Sequence, residues 1–221
     1  EMSGLDKHVW VRGKIKTPDS VPDDTYLVLD CTKIGENPQT ILYLDGRMMQ
    51  GFDGNHSTAR IECGREYDVT LYIYFDGVNI GSGMIQPCMK TISKKVEKAY
   101  FDMKIPFEAA QCFEGDAPEK KLMYKHLEIA CLMIDKTHEG RPEFFASLEA
   151  ADEYMIKEFY GKECGKGDIV VSCLGHSHID VAYRWTVEQT KEKVQRSFGT
   201  VLQLMKDYPE FMFMMSQPQL Y

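Results

Sequence analysis

Three side chains able to ligate a metal or carry a proton stand at alternate positions in Gly175-His176-Ser177-His178-Ile179-Asp180. In extended chain, alternate residues share one face, with neighbours about 6.5–7 Å apart along the strand. Imidazole and carboxylate groups can converge from that spacing on one ion, because zinc sits about 2.0–2.2 Å from N and O donors. An HxD pair is common, and a hydrogen-bonded core histidine with a capping carboxylate would account for each residue separately. Placement brings the metal reading level with that one, and both stay open on spacing and placement alone. Ile169 to Leu174 is a continuous apolar run, read as a strand buried on both faces in a parallel sheet. In parallel α/β folds, active sites gather at the carboxyl ends of such strands.

The elements around this segment follow from periodicity. Behind it, Thr186 and Gln189 have capping-box spacing. Val194, Phe198, Val201, Leu202 and Met205 form the expected buried stripe of a helix, and Pro209 ends it. Phe211 to Met215 reads as a second apolar strand, so strand, helix and strand predict a right-handed parallel crossover. Ahead of it, Gly161 to Asp168 reads as a linker rich in Gly and charge. Two amphipathic helices precede the linker and are expected to pack antiparallel. Asp116, Pro118 and Glu119 signal the first, with Met123, Leu127, Ala130, Cys131 and Ile134 as its stripe. Pro142 opens the second, with Phe144, Leu148, Ala151 and Met155 on one face.

The first part reads as all-β. Val9, Val11, Gly13 and Ile15 alternate with Trp10, Arg12, Lys14 and Lys16, and Val69, Leu71, Ile73 and Phe75 alternate with Asp68, Thr70, Tyr72 and Tyr74. This period of two residues gives each strand one buried face. Tyr26 to Cys31 and Ile41 to Leu44 add short apolar runs, and Asp-Gly pairs begin at Asp45, Asp53 and Asp76. Such punctuation predicts tight turns and a β-sandwich. Ile80 to Cys88 reads as loop or edge, and Lys98 to Ile105 as a last strand that Pro106 breaks. Tyr72 and Tyr74 are expected to pack between sheets, and His56 to be held by local hydrogen bonds in its turn.

The chain has 221 residues, 43% hydrophobic and 27% charged, with a net charge of −8. An acidic surface repels phosphate backbones, which excludes a nucleic-acid partner, and no segment is long and apolar enough to span a bilayer. There is no basic start followed by an apolar core, so no secretory leader is expected. Seven cysteines occur, widely spaced and without a CxxC, which argues against a disulfide framework. Cys131 and Cys173 fall in apolar runs and read as small hydrophobes. This usage predicts a reducing, cytoplasmic setting.

The stretch GHSHIDVAYRW (Gly175 to Trp185), followed by Arg196, Phe198, Tyr208, Pro209, Phe211, Ser216, Gln217 and Tyr221, resembles the opening of the catalytic domain of glycoside hydrolase family 38. ILYLDGRMMQGFDGNH (Ile41 to His56) is similar to the sandwich domain that precedes the barrel in the long forms of that family. The resemblance implies an α+β multidomain fold. It comprises an antiparallel β-sandwich over residues 1–112, a helical hairpin over 113–161 and a linker over 162–168. The start of an α/β barrel follows over 169–221, represented by its first βαβ unit and left incomplete.

The resemblance also implies a retaining α-mannosidase acting on mannose-containing oligosaccharides or glycosides, in which one carboxylate attacks the anomeric carbon and another protonates the leaving oxygen. His178 and Asp180 would be two zinc ligands, with cobalt or manganese tolerated by the same donors, and His176 a neighbour rather than a ligand. Zinc would take the cis 2- and 3-hydroxyls of mannose. Tyr183 would contact substrate, at a position where the family usually has tryptophan; Trp185 is as well explained by packing at the helix start. The further ligands, the nucleophile and the acid/base would lie beyond Tyr221, so this chain alone is expected to lack mannosidase activity. A homo-oligomer is compatible with all of this. Two rival readings fit the same residues. One is an amidohydrolase-type metal hydrolase in which His176 and His178 both bind metal and Asp180 does not. The other is a non-catalytic carbohydrate-binding or assembly module.

Overall fold

The computed structural model describes residues 7–31, 33–34, 39–75, 84–165, 167 and 170–221. In chain order the strands of the first part are β1 (Lys7–Lys16), β2 (Thr25–Asp30), β3 (Lys33–Ile34), β4 (Gln39–Leu44), β5 (Arg47–Phe52), β6 (Thr58–Arg60), β7 (Glu66–Phe75), β8 (Met84–Ile85) and β9 (Cys88–Ser93). Helices α1 (Lys94–Gln111), α2 (Pro118–Met133) and α3 (Pro142–Tyr154) follow, and then β10 (Gly175–His176), α4 (Val187–Asp207) and β11 (Phe213–Met214). Antiparallel sheets and helices make this an α+β chain. It divides into two compact units: Glu1–Val21, Leu27–Thr91 and Val171–Tyr221 form one, Pro22–Tyr26 and Ile92–Val170 the other.

In the first unit, β1, β7, β4 and β5 form a sheet in that order, all pairs antiparallel. A second sheet has the order β6-β2-β9. Leu27 and Leu29 of β2 share one core with Leu42, Phe52, Val69, Leu71, Ile73 and Phe75. The alternation along β7 holds from Glu66 to Thr70, whereas Leu71 to Phe75 are buried on both faces. Each fully buried aliphatic such as Leu42 or Ile73 contributes about 1.5–3 kcal/mol. The β4–β5 hairpin closes at Asp45 and Gly46, both with positive φ (51° and 76°), the conformation that favours Asp-Gly in two-residue loops. Of the segment Ile80 to Cys88, Met84 and Ile85 pair with β3. The Asp76-Gly77 pair lies outside the described residues.

Tyr72 and Tyr74 do not pack between the sheets. They are buried on the other face of β7, beneath α4, where the Tyr72 hydroxyl donates to Glu192 Oε1 at 2.6 Å and the Gln189 amide donates to the Tyr74 hydroxyl. α4 thus meets the sheet through polar and small residues. Its buried positions are Thr190, Gly199 and Gln203. Val194, Phe198 and Val201 are only half-buried, while Leu202 and Met205 of the expected stripe are exposed. The seam is tight where glycines stand. A Cβ on Gly51 would lie 2.9 Å from Arg196 Cβ, and one on Gly199 would lie 3.0 Å from Met48 Cε.

In the second unit, the segment expected as a strand, Lys98 to Ile105, is part of α1, and Pro106 lies inside that helix rather than ending it. Ser93 caps it by accepting from the Val96 N–H, and Lys98–Asp102 and Lys104–Glu108 pair one turn apart. A proline inside a helix leaves the carbonyl four residues back without its N–H partner. Here that carbonyl, Asp102 O, accepts from the Tyr160 hydroxyl at 2.9 Å. The expected helical pair is therefore joined by α1. Leu127 and Ala130 of α2 and Ala151 of α3 form one core with Met155 and Phe159, and Met103 of α1 packs against it. Pro118 and Pro142 each open their helices as expected, but the cap of α2 is Ala117 without a side-chain bond. Asp116 instead pairs with Lys121 at 3.2 Å. Cys131 and Cys173 are exposed, so neither acts as a core residue.

Candidate functional site

β10 and β11 pair in parallel, Gly175 with Phe213 and His176 with Met214, and α4 connects them. The crossover is present, but its strands are shorter than the apolar runs suggested. No described residue of the first run is in a ladder, which begins only after it, at Gly175–His176; Val170 is 89% exposed and Val171 76% exposed. Ile169 lies outside the described residues. A strand is buried on both faces only when other elements cover both, and among the described residues nothing does so here.

The chemistry-bearing residues lie just past β10. Ile179 is buried, and its N–H is 3.4 Å from Gln217 Oε1. This anchors the segment, so that the residues on either side turn outward. His178 Nε2 and Asp180 Oδ1 are 2.9 Å apart, with side chains 67% and 43% exposed. His176 leaves this pair, its Nε2 lying 3.3 Å from Ser216 Oγ. The structure therefore brings together the imidazole and carboxylate singled out from the sequence, and sends the other imidazole to the β11 side.

The chain must then reverse into α4. Ala182 adopts φ 56°, a left-handed conformation uncommon without glycine. Thr190 holds the bend, because its buried Oγ1 accepts from the Ala182 N–H and from Trp185 Nε1, each at 3.1 Å. The helix opens with the expected capping box between Thr186 and Gln189. Trp185 packs on this first turn, and the Lys193 ammonium lies 4.3 Å from its ring centre. Tyr183 is 64% exposed and touches Trp185 edge-on, with ring centres 6.4 Å apart. Thr190 carries no catalytic signature, and only its spacing from Thr186 could have drawn notice.

A cavity of about 580 Å3 opens beside the motif, lined by residues of β10 and its continuation, of α4, and of the β5–β6 connection, with Trp185 on its wall. His176, Ser177, His178 and Ile179 reach it, whereas Tyr183 is not among its lining residues. Arg196 lines it too. Burial pushes that guanidinium's pKa down, opposed by the nearby Glu192 carboxylate.

The pair fits a metal. Donors about 2.0–2.2 Å from a tetrahedral zinc stand roughly 3.3–3.6 Å from each other, so the observed 2.9 Å separation needs only a small opening. The mixed N/O donor set is also suited to zinc. Among the described residues no third His, Cys, Asp or Glu joins the two in one cluster.

Residues 168–221 match the family described as "Glycosyl hydrolases family 38 N-terminal domain". The resemblance carried by the GHSHIDVAYRW motif is thereby borne out over this span. Over 172 residues, 72% of the chain, it is 26% identical to Alpha-mannosidase G of Dictyostelium discoideum, of which it covers 15%. It is similar as well to human Alpha-mannosidase 2C1, with 32% identity over 106 residues, 48% of the chain and 10% of that protein. The Saccharomyces cerevisiae Alpha-mannosidase shares 25% identity over 130 residues, covering 54% of the chain and 11% of that protein. The chain thus spans between 10 and 15% of the length of these curated relatives.

Proposed function

We propose that this chain contributes the first half of a metal site to a retaining α-mannosidase that acts on mannose-containing glycosides. The observation that carries this reading is the exposed His178–Asp180 pair, 2.9 Å apart, inside the span matching family 38 and beside a cavity that His178 lines. A zinc ion held by these two side chains would supply a Lewis acid able to engage the cis 2- and 3-hydroxyls of mannose. The chain's own residues position that site. Ile179 is the anchor that keeps His178 and Asp180 turned out, and Thr190 fixes the bend behind them. Trp185 offers an aromatic wall of the kind that packs against the apolar face of a sugar. Tyr183, more exposed and off the cavity, is a contact for the outer part of a substrate.

We read β10, α4 and β11 as the opening of an α/β barrel, which requires about eight strand–helix units. The exposed apolar Val170, Val171, Leu174, Met212 and Met214 support this, since further strands and helices would cover them. The seven free thiols support a reducing, cytoplasmic compartment.

The test measures zinc retention by equilibrium dialysis, alongside turnover of an aryl α-mannoside, in the whole protein. His178→Ala and Asp180→Ala should each lower zinc affinity by at least about tenfold, while His176→Ala leaves it within about threefold. Loss of zinc only in His176→Ala would replace this reading with an amidohydrolase-type site, but the His176–Ser216 contact speaks against that outcome.

A further inference from the structure

The Asp53-Gly54-Asn55-His56 turn lies more than a hundred residues before the motif in sequence, yet Asp53 and His56 line the same cavity as His176 and His178. The β5–α4 seam brings the turn there. β5 runs close enough to α4 that Gly51 admits no side chain, and the Gly51 N–H donates to Thr200 Oγ1 at 3.1 Å. The turn itself is tightly organised. Asp53 Oδ1 accepts from the N–H groups of Asn55 and His56 at 2.8 and 2.9 Å, and His56 Nδ1 lies 3.0 and 3.2 Å from the two carboxylate oxygens. Although burial opposes it, these bonds hold the Asp53 carboxyl below its ordinary pKa, so it stays an acceptor. Nδ1 therefore carries a proton towards the carboxylate, and Nε2, which has no partner among the described residues, is the ring nitrogen left open to a ligand.

A second unfilled valence belongs to a side chain that lines the same cavity. Arg196, whose other terminal nitrogen donates to Gln39, has a buried Nη1 with no hydrogen-bond partner among the described residues. A buried guanidinium nitrogen without an acceptor is costly and rare, and here it belongs to a cavity-lining side chain. An oriented imidazole nitrogen, a guanidinium donor and the indole of Trp185 form a wall matched to a sugar ring, whose hydroxyls both give and take hydrogen bonds and whose C–H face stacks on aromatics. At about 580 Å3, the cavity falls within the roughly 300–1,000 Å3 of small-molecule sites.

We infer that Asp53, His56 and Arg196 bind hydroxyls of the sugar unit next to the terminal mannose, which makes the β5–β6 turn a specificity element of the site. The inference rests on the α-mannosidase reading for the identity of that sugar. Asp53 and His56 contact substrate there and have no part in bond breaking.

The experiment compares an α-linked mannobiose with an aryl α-mannoside in the whole protein, for wild type, His56→Ala and His56→Gln. For mannobiose, His56→Ala should lower kcat/KM about tenfold, mainly through KM, as expected for one lost hydrogen bond to substrate. The aryl mannoside, which has no second sugar, should stay within about twofold, and His56→Gln should restore part of the mannobiose loss. Equal loss on both substrates, or no loss on either, would overturn the inference. Wild-type protein that cleaves neither substrate would sink the α-mannosidase reading instead. The His56 ring proton shifts on mannobiose addition would then decide the inference independently: movement upholds a sugar site at the turn, and its absence refutes it.

Discussion

Replacing Gly51 by alanine tests the claim that α4 is seated on the sheet by close backbone approach. The new Cβ would stand 2.9 Å from Arg196 Cβ, 3.2 Å from Arg196 O and 3.3 Å from Arg196 Cα. None of these atoms is the end of a flexible side chain, so the helix or the strand must move by about 0.5 Å to reach ordinary contact. Overpacking of this kind costs about 1–3 kcal/mol. The same shift stretches the Gly51–Thr200 bond, worth about 0.5–1.5 kcal/mol, while removing a glycine from a strand returns about 0.5–1 kcal/mol. The balance is a loss of about 2 kcal/mol, or about 4–8 °C in Tm for a chain of this size. Gly13 is the control, because a Cβ there meets nothing within 4 Å; Gly13→Ala should be neutral or slightly stabilising. The chain has two tryptophans, Trp10 and Trp185, and both lie in the unit that contains the seam, so fluorescence-monitored urea unfolding reads that unit. Gly51→Ala matching or exceeding the stability of Gly13→Ala would refute the seam.

Two other perturbations follow from single contacts. Thr190→Val removes the acceptor shared by the Ala182 N–H and Trp185 Nε1. It should destabilise the first unit by about 1–3 kcal/mol and shift the Trp185 emission; unchanged unfolding and emission would show the bend is held otherwise. Asp135 accepts from the Thr137 hydroxyl and lies 2.7 Å from His138 Nδ1, and these bonds bring its carboxyl to about 2. Because the folded value is depressed, this contribution is complete above the ordinary carboxylate range and is lost as pH falls through about 2. A carbon-detected NMR titration should place the Asp135 midpoint well below those of exposed aspartates, and an ordinary midpoint would contradict the turn geometry.

What was legible in the sequence is what is decided locally. The period of β7, the Asp45-Gly46 turn and the Thr186–Gln189 box each depend on neighbours a few residues away. His178 and Asp180 meet because the buried Ile179 between them fixes their side. What escaped depends on partners distant in the chain. α1 hides its buried side in small residues, Ala99, Pro106 and Ala110, and its proline reads as a stop because the rescuing hydroxyl is Tyr160. The apolar stripe of α4 was real as a pattern, but the sheet takes the opposite, polar face, for which Gly51 and Gly199 were the available clues. The run through Val170 and Val171 signals burial only when covering elements are present.

The proline inside α1 carries a consequence for how this helical unit can change over generations. Its ring and the Tyr160 hydroxyl act as one heritable unit: with proline present, exchanging tyrosine for phenylalanine strands a carbonyl, whereas with any other residue at 106 the helix completes its own ladder and position 160 is released. Descendant sequences should therefore drift at these two positions together, and the tyrosine should be surrendered only after the proline has gone.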